Sequence, residues 1–507
     1  MIKTVFACLL FFSFLNAPGD VLSQTKKDTL VVCLGKALPK SLDPGVSNTR
    51  QVLTLYHNWG DTLLYREPAS GKIVPGLARS YRILDNGDME LTLRKGVKFH
   101  NGEPFNGAAV KFSLDLLKNP DSRVAPYLRD IKDVVVLDDH RVRIELAKPI
   151  PTLSELLANV LFIYPPRYYR KVGKKGFGEH PVGTGPYRLV SNMGFKEMDF
   201  EANPRYFAGP KGRAKIPKLK VRIIKETILQ MEALISGEVD LIRSGCVNPE
   251  QVPFLKQADQ VKFLSTDILR VYFLVMDAKG RSGATPFMDK RVRQAVNYAI
   301  NRESIIDNAF NGFAVPLDSV VSPLHFGYEN LVTRYPYDPA RAWKLLSEAG
   351  YPTGFDVDFY AINNESAAES IITDLDAVGI RAKPKWMMGK WDRLYEKFLN
   401  GEIPLAFLTW GSYSIFDASA LLNHFFMADS RACYGTTPEI NRLLEQAKGS
   451  RELGERRSRL SRAQKRISEE AFWVPICSVE VICAMNKALQ FKPSLDEIDR
   501  YFLAAWP

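Results

Sequence analysis

Residues Pro404 to Phe426 read PLAFLTWGSYSIFDASALLNHFF. Leu405 to Thr409 is a short apolar run of the kind that forms a buried strand. Trp410 to Phe416 is a loop rich in aromatic and hydroxyl side chains. Asp417 stands where a helix N-cap belongs, ahead of the helical spacing of Leu421, Leu422, Phe425 and Phe426. A strand whose end feeds a helix N-terminus points to an α/β fold, and ligands of open α/β sheets bind outside such strand ends. The same residues also fit a packed strand–turn–helix in which Asp417 is only a cap.

Working outward, Trp391 to Leu399 has helical spacing and leads into this stretch, and Phe355, Val357 and Phe359 alternate with Asp356 and Asp358 as a half-buried strand. Asp338-Pro339 and Asp289 each open a helix. Ile440 to Phe472 reads as two basic helices broken near Gly449 to Gly454, followed by a strand-rich run to Ala484. Toward the N-terminus, Thr29 to Leu34 is a strand and Val52 to Leu64 a helix. The turns Asp85-Asn86-Gly87-Asp88 and Leu137-Asp138-Asp139-His140 sit between alternating runs and predict two hairpins. Helical spacing at Ala108 to Leu117 lies between them, which makes about 55–180 an α+β unit with antiparallel pairs. Strand Lys218–Ile224, helix Ile228–Ile235 stopped by Gly237, and strand Val239–Arg243 form a further α/β unit.

A chain of 507 residues is too long for one ordinary domain, and about two to four are expected. Hydrophobic residues at 46% and charged residues at 25% are ordinary globular values, so neither a disordered chain nor a membrane bundle is indicated. The net charge of +11 is uneven: Pro165 to Lys225 holds fifteen Lys/Arg against four Asp/Glu. No nucleic-acid-binding module accompanies it, so it reads as a solvated basic face, with no nucleic-acid partner. Lys3, the apolar run Val5 to Leu15 and the polar exit Asn16 to Gln24 read as a secretory signal over 1–23, so the mature chain is expected to be soluble and exported. No small residues precede Cys33, so a lipid anchor is not expected. Cys33, Cys246, Cys433, Cys477 and Cys483 are odd in number and widely spaced, consistent with free thiols for most of them.

The chemistry-bearing motifs are missing. No His pair has metal-ligand spacing, no G-x-S-x-G elbow is present, and there is no phosphate-binding G-x-x-x-x-G-K-[ST] loop. Gly183 and Gly185 are followed by Pro186, which lacks the backbone donor a phosphate needs. The expectation is therefore no catalytic residues, no metal and no cofactor.

Six stretches occur in one order: SLDP at Ser41, PGLARSYRILDNGDMELTLRKGVKFHNGEPF from Pro75, HPVGTGPYRL from His180, ALISGEVDLI from Ala233, DKRVRQAVNYAINRESII from Asp289 and YDPARAWKLLSEAGYPTGF from Tyr337. Together they resemble the extracytoplasmic solute-binding proteins of peptide, nickel and related ABC importers, family 5, over about residues 28 to 490. The resemblance implies an α/β, two-lobed periplasmic-binding-protein-like fold (type II) with an extra α+β subdomain in the first lobe. The core of lobe I would comprise 24–54, 181–266 and 476–507, its extra subdomain 55–180, and lobe II 267–475. It further implies a monomer that captures a small-molecule or peptide ligand between the lobes and docks on an ABC permease in the inner membrane.

The resemblance also places candidate ligand contacts. Trp410 and Gly411 match the start of the family's W-G-x-D-x-x-D-P loop, and Asp417 matches the Asp before its Pro. The spacing here is one residue longer and Ala418 replaces the Pro. The earlier acidic position, which in peptide binders receives the ligand's amino group, falls near Ser412 or Tyr413, where there is no carboxylate. Trp410 and Tyr413 would supply an apolar wall with a polar tip. Arg270 and Tyr272 lie in the inferred crossing strand, where Arg270 would pair either with an anionic ligand group or with a carboxylate of the protein. Tyr56 and Trp386 are candidates by position. An exported hydrolase and a peptide-binding chaperone on the same scaffold are the competing functions.

Overall fold

Two long strands set the architecture. Val261–Met276 and Trp473–Asn486 run antiparallel through the middle of one sheet. At 16 and 14 residues they exceed the usual strand length. Trp473–Asn486 is buried almost throughout, which explains its nearly unbroken apolar sequence. The computed structural model describes residues 27–35, 40–362, 364–411, 414–450 and 452–507. The signal segment and Tyr413 lie outside the described residues.

Among the described residues this sheet has eleven strands. On one side of the long pair stand Leu241–Val247, Thr29–Leu34 and Lys218–Ile223, mutually parallel, then Glu197–Ala202 and Tyr187–Met193. On the other side stand Leu405–Trp410, Phe355–Ala361 and Ile380–Trp386, again mutually parallel. Ala314–Pro316 pairs on the long strand Trp473–Asn486. The fold is thus mixed α/β and two-lobed, with a parallel triplet on either side of the long pair. The long strands lie between the two triplets, and their register shifts between Asp267 and Val271. Such a bulge bends a strand and re-aims its side chains.

The hairpin signals fold as read. Ala78–Ile83, Met89–Leu93, Arg141–Leu146 and Ile131–Asp138 form a separate four-stranded antiparallel sheet in that spatial order. Its inner face shares one continuous hydrophobic core with Thr29–Leu34 and the C-terminal residues Phe491, Ile498, Tyr501 and Phe502. Asp289 and Asp338 cap their helices by accepting from the Arg291 and Arg341 amides, and Gly237 takes the left-handed conformation (φ 81°) just after helix Thr227–Ile235.

Two readings need correction. The helix expected over Val52 to Leu64 is Arg50–Trp59, and Leu64–Arg66 is a strand paired with Ile73–Pro75. The helix stops because the chain turns extended at Gly60 while the Trp59 carbonyl accepts from the Gly185 amide at 2.9 Å. This contact also explains the GTG motif: a Cβ on Gly183 would lie 2.3 Å from the Trp59 oxygen, so the glycine is there for close packing. Helix Pro166–Glu179 was not anticipated, because glycines interrupt its spacing and it breaks at Gly173 (φ 67°).

Candidate functional site

One strand of each parallel triplet meets the same C-terminal segment. In the first triplet, Leu241–Val247 departs from its ladder between Ile242 and Val247, and there the Ser244 amide donates to Asp499 at 2.9 Å. In the second triplet, Leu405–Trp410 ends beside Glu497, whose Oε1 would lie 3.0 Å from a Cβ on Gly411. The run Asp496-Glu497-Ile498-Asp499-Arg500 is therefore wedged between two sets of strand ends, the place where α/β sheets bind ligands.

Ser414 links segments that are far apart in the chain. Its hydroxyl accepts from Arg50 Nη1 at 2.8 Å and donates to the Asp496 carbonyl at 3.0 Å. Its carbonyl accepts from Asn159 Nδ2 at 3.1 Å and Arg66 Nη2 at 3.5 Å. Two residues on, the Phe416 ring lies under the Arg66 guanidinium at 4.1 Å, and Arg66 is itself paired with Glu155. Ser414 adopts φ 62° and Glu497 φ 60°, conformations that non-glycine residues seldom take and that cluster at functional sites. Between Asn48, Arg50, Tyr127, Asn159 and Ser414 remains a cavity of about 20 Å³, on the scale of a single water.

Beside Ser414 lies a charge cluster. Arg270 Nη2 donates to both oxygens of Glu497, at 3.0 and 3.2 Å, and Arg50 Nε lies 3.8 Å from the same carboxylate. Burial pushes the Glu497 carboxyl up, but Arg270, Arg50 and, to a lesser degree, Arg243 outweigh it and hold it below the usual carboxylate range. Burial pulls the Arg50 guanidinium down; Glu497 offsets this only in part, and Arg270 adds to the decrease. Asp499 is displaced upward by burial, only partly offset by Arg243. Arg500 and Asp496 form a bidentate pair with both bonds at 2.6 Å.

The sequence-derived candidates separate into groups. Arg270 is in the cluster, where the bulge at 267–271 points it at Glu497, so the carboxylate it pairs with is the protein's own. Trp386 and Trp410 both end strands of the second parallel triplet, with Trp386 37% exposed on the outer strand. Trp410 is buried and stacks on His424 at 4.8 Å, so most of its surface belongs to the core of its lobe. Tyr272 packs between Phe310 and Phe407. Tyr56 is a core residue: its hydroxyl donates to the Asp61 carbonyl at 2.6 Å and accepts from the Ile163 amide at 3.1 Å.

Asp417 precedes the helix Ser419–Phe426 by two positions, with Ala418 at the N-cap. Its carboxylate accepts from the Ser419 amide and forms a bidentate pair with the buried Arg456 at 2.5 and 2.7 Å. Both oxygens are thus engaged by the protein's own groups. Arg50, Asn159, Arg243, Ser414 and Glu497 were missed, because they are scattered over nearly the whole chain. One signal was available: an acidic run at 496–499 in a chain of net charge +11. Among the described residues, no group of three or more His, Cys, Asp or Glu could hold a metal ion. All five cysteines described are free, and Cys246 is the one that is not buried.

Comparison with known proteins agrees with this fold. The model of the bacterial extracellular solute-binding proteins, family 5 (middle region), matches residues 72–431. The glutathione-binding protein GsiB of Salmonella choleraesuis is 30% identical over 437 residues, covering 82% of this chain and 83% of that protein. Among solved structures, the periplasmic binding protein DppA of Helicobacter pylori, in complex with the peptide STSA, superposes with a TM-score of 0.80 at 25% identity, over 95% of this chain and 98% of that one. HbpA2 of Haemophilus parasuis gives a TM-score of 0.81 at 23% identity, over 94% and 100%. With its two parallel triplets, its pair of joining strands and a family match across 72–431, the chain belongs to the bacterial extracellular solute-binding proteins of family 5.

Proposed function

We propose that this protein captures a small polar solute, peptide-like in size, between its two lobes and presents the closed form to an inner-membrane ABC permease, without reacting on the solute. The observation that carries this reading is the contact of Arg50 with Ser414 beside strand ends of both lobes. A contact of this kind between lobes joined by only two strands is what a hinge-closing capture protein needs. The relatives named for glutathione and for a bound peptide favour solutes of two to four residues. On this reading lobe I has its core at 24–54, 181–266 and 476–507 and its extra subdomain at 55–180, and lobe II is 267–475. The register shift at 267–271 supports the hinge position. Arg270 and Trp386 would line the cleft. The protein acts as a monomer, and its first 23 residues direct export.

The test is a thermal-shift and intrinsic-fluorescence screen of purified mature protein against di- to tetrapeptides, glutathione, opines, sugars and metal chelates. A captured solute raises the melting temperature with occupancy, by about 2.7 kcal/mol of added stability at a hundredfold excess over Kd. A solute that is consumed during the assay contradicts the non-catalytic reading, and no shift across the whole panel contradicts capture. N-terminal sequencing of the exported protein, with Gln24 first, checks the address.

A further inference from the structure

Glu497 stands in an unusual place for a carboxylate of the protein's own tail. It sits at the mouth of both strand sets, in a left-handed backbone conformation, opposite three arginines from separate parts of the chain. Arg50 opens the first helix, Arg243 lies in the irregularity of Leu241–Val247, and Arg270 lies in the bulge of a long strand. Two of the three are thus presented by breaks in strand ladders, devices that re-aim a side chain. Arg243 is buried, and its Nε has no hydrogen-bond partner. Its Nη1 is held by the Ser244 carbonyl and the Cys246 thiol. The guanidinium therefore has binding capacity left over, in a site where an unmade bond to a charged group is costly.

The charges do not balance locally. Arg50, Arg243 and Arg270 face Glu497 and Asp499, and the flanking Arg66 and Arg500 are matched by Glu155 and Asp496. Five guanidiniums thus meet four carboxylates among the described residues. A partly buried, net-positive cleft attracts an anion. Exchanging this carboxylate for another one conserves the charge of the cleft.

Resting on the solute-capture reading, we propose that Arg50, Arg243 and Arg270 form an anion site that reads a free carboxylate of the captured solute, and that Glu497 is the tethered stand-in occupying this site until a solute carboxylate replaces it. The solute class is accordingly carboxylate-bearing and net anionic. The carboxylate lost from the loop at 412–413 is not restored by Glu497, because Glu497 is already committed to arginines and does not offer a free partner for an ammonium.

Two experiments test this. The first needs no known solute. In Glu497→Ala, sodium propionate refills the vacated position and gives a saturable rise in melting temperature, whereas propionamide does not, and the rise disappears in Glu497→Ala with Arg270→Gln. Equal shifts with propionate and propionamide overturn the stand-in. If Glu497→Ala fails to fold, Glu497→Gln keeps the shape; its affinity for propionate should then exceed that of wild type at least tenfold, and equal affinity overturns the proposal. The second uses wild-type protein and the screen above. Every solute that binds should carry a free carboxylate and lose at least tenfold in affinity on amidation or in Arg270→Gln. A tight neutral solute indifferent to Arg270→Gln overturns the anion site and leaves capture standing. Propionate rescue with no solute bound in the whole screen leaves the anion site standing and removes capture.

Discussion

Arg50 Nη1 donates to the Ser414 hydroxyl at 2.8 Å, joining residues 364 positions apart. The same hydroxyl donates to the Asp496 carbonyl, so one oxygen ties the first helix, the loop after Trp410 and the C-terminal tail together. A single hydroxyl that both accepts and donates between distant segments can be removed without emptying a core.

Ser414→Ala should therefore open the lobes more than it unfolds them. The expected loss of stability is about 1 kcal/mol, the net value of an ordinary hydrogen bond. Small-angle scattering should show a larger radius of gyration than wild type. Ser414→Gly removes the same hydroxyl but relaxes the left-handed backbone. It should open the lobes equally while losing less stability. Unchanged scattering in both variants would show that Ser414 does not hold the lobes together.

Asp417 is engaged by Arg456, and the pair is buried. Asp417→Ala leaves a buried guanidinium without its partner and should cost about 3–5 kcal/mol in urea unfolding. Replacing both members, Asp417→Leu with Arg456→Met, should recover most of that loss. Solute affinity of the double variant should match wild type; a large loss would place Asp417 at the ligand.

Four histidines make stability depend on acidity: His57 and His325 are buried, His100 and His424 half-buried, and burial holds His57 well below its usual value. Burial pulls His100, His325 and His424 down to about 4. In the unfolded chain they titrate near 6.5. Between those limits the unfolded state holds more protons, so stability falls as pH drops from about 6.5 to about 4. Urea midpoints taken from pH 7 to pH 4 should decline through this window. His424→Phe, which keeps an aromatic ring against Trp410, should flatten the slope. A slope identical to wild type would mean that His424 is charged in the folded protein.

Tyr56 and Trp386 should behave in opposite ways. Tyr56→Phe strands the Ile163 amide and the Asp61 carbonyl and should cost about 1–3 kcal/mol with no change in solute affinity. Trp386→Ala, at an exposed strand end, should shift stability by less than about 0.5 kcal/mol. Its solute affinity should fall about tenfold if the indole lines the cleft. Calorimetric titration of the solute found by screening separates the two.

Local chemistry explains why much of the fold was legible. Asp289 and Asp338 cap the helices they precede, the hairpins turn at Asp85–Asp88 and Leu137–His140, and Leu405–Trp410 is the buried strand its apolar run suggests. Each of these rests on neighbours a few residues apart. The loop after Trp410 was equally legible as a place of interest, because a strand end, a Gly and a run of aromatics are all local. What the loop does was not legible. Ser414 and Phe416 meet Arg50, Arg66, Glu155, Asn159 and Asp496, partners more than 80 positions away, while Asp417, the residue with the clearest local signature, is turned into a buried pair with Arg456.

The sequence by itself determined most of the elements, their order and the family, because these depend on periodicity, turn chemistry and motifs read along the chain. Only the tertiary structure decided the site's charge. Arg50, Arg243, Arg270 and Glu497 lie on four separate segments, and nothing in their local sequence distinguishes them from solvated charges on a basic surface. Folding brings them together with Arg243 and Glu497 buried and Arg50 and Arg270 half-buried, and this mutual arrangement sets the electrostatics of the site.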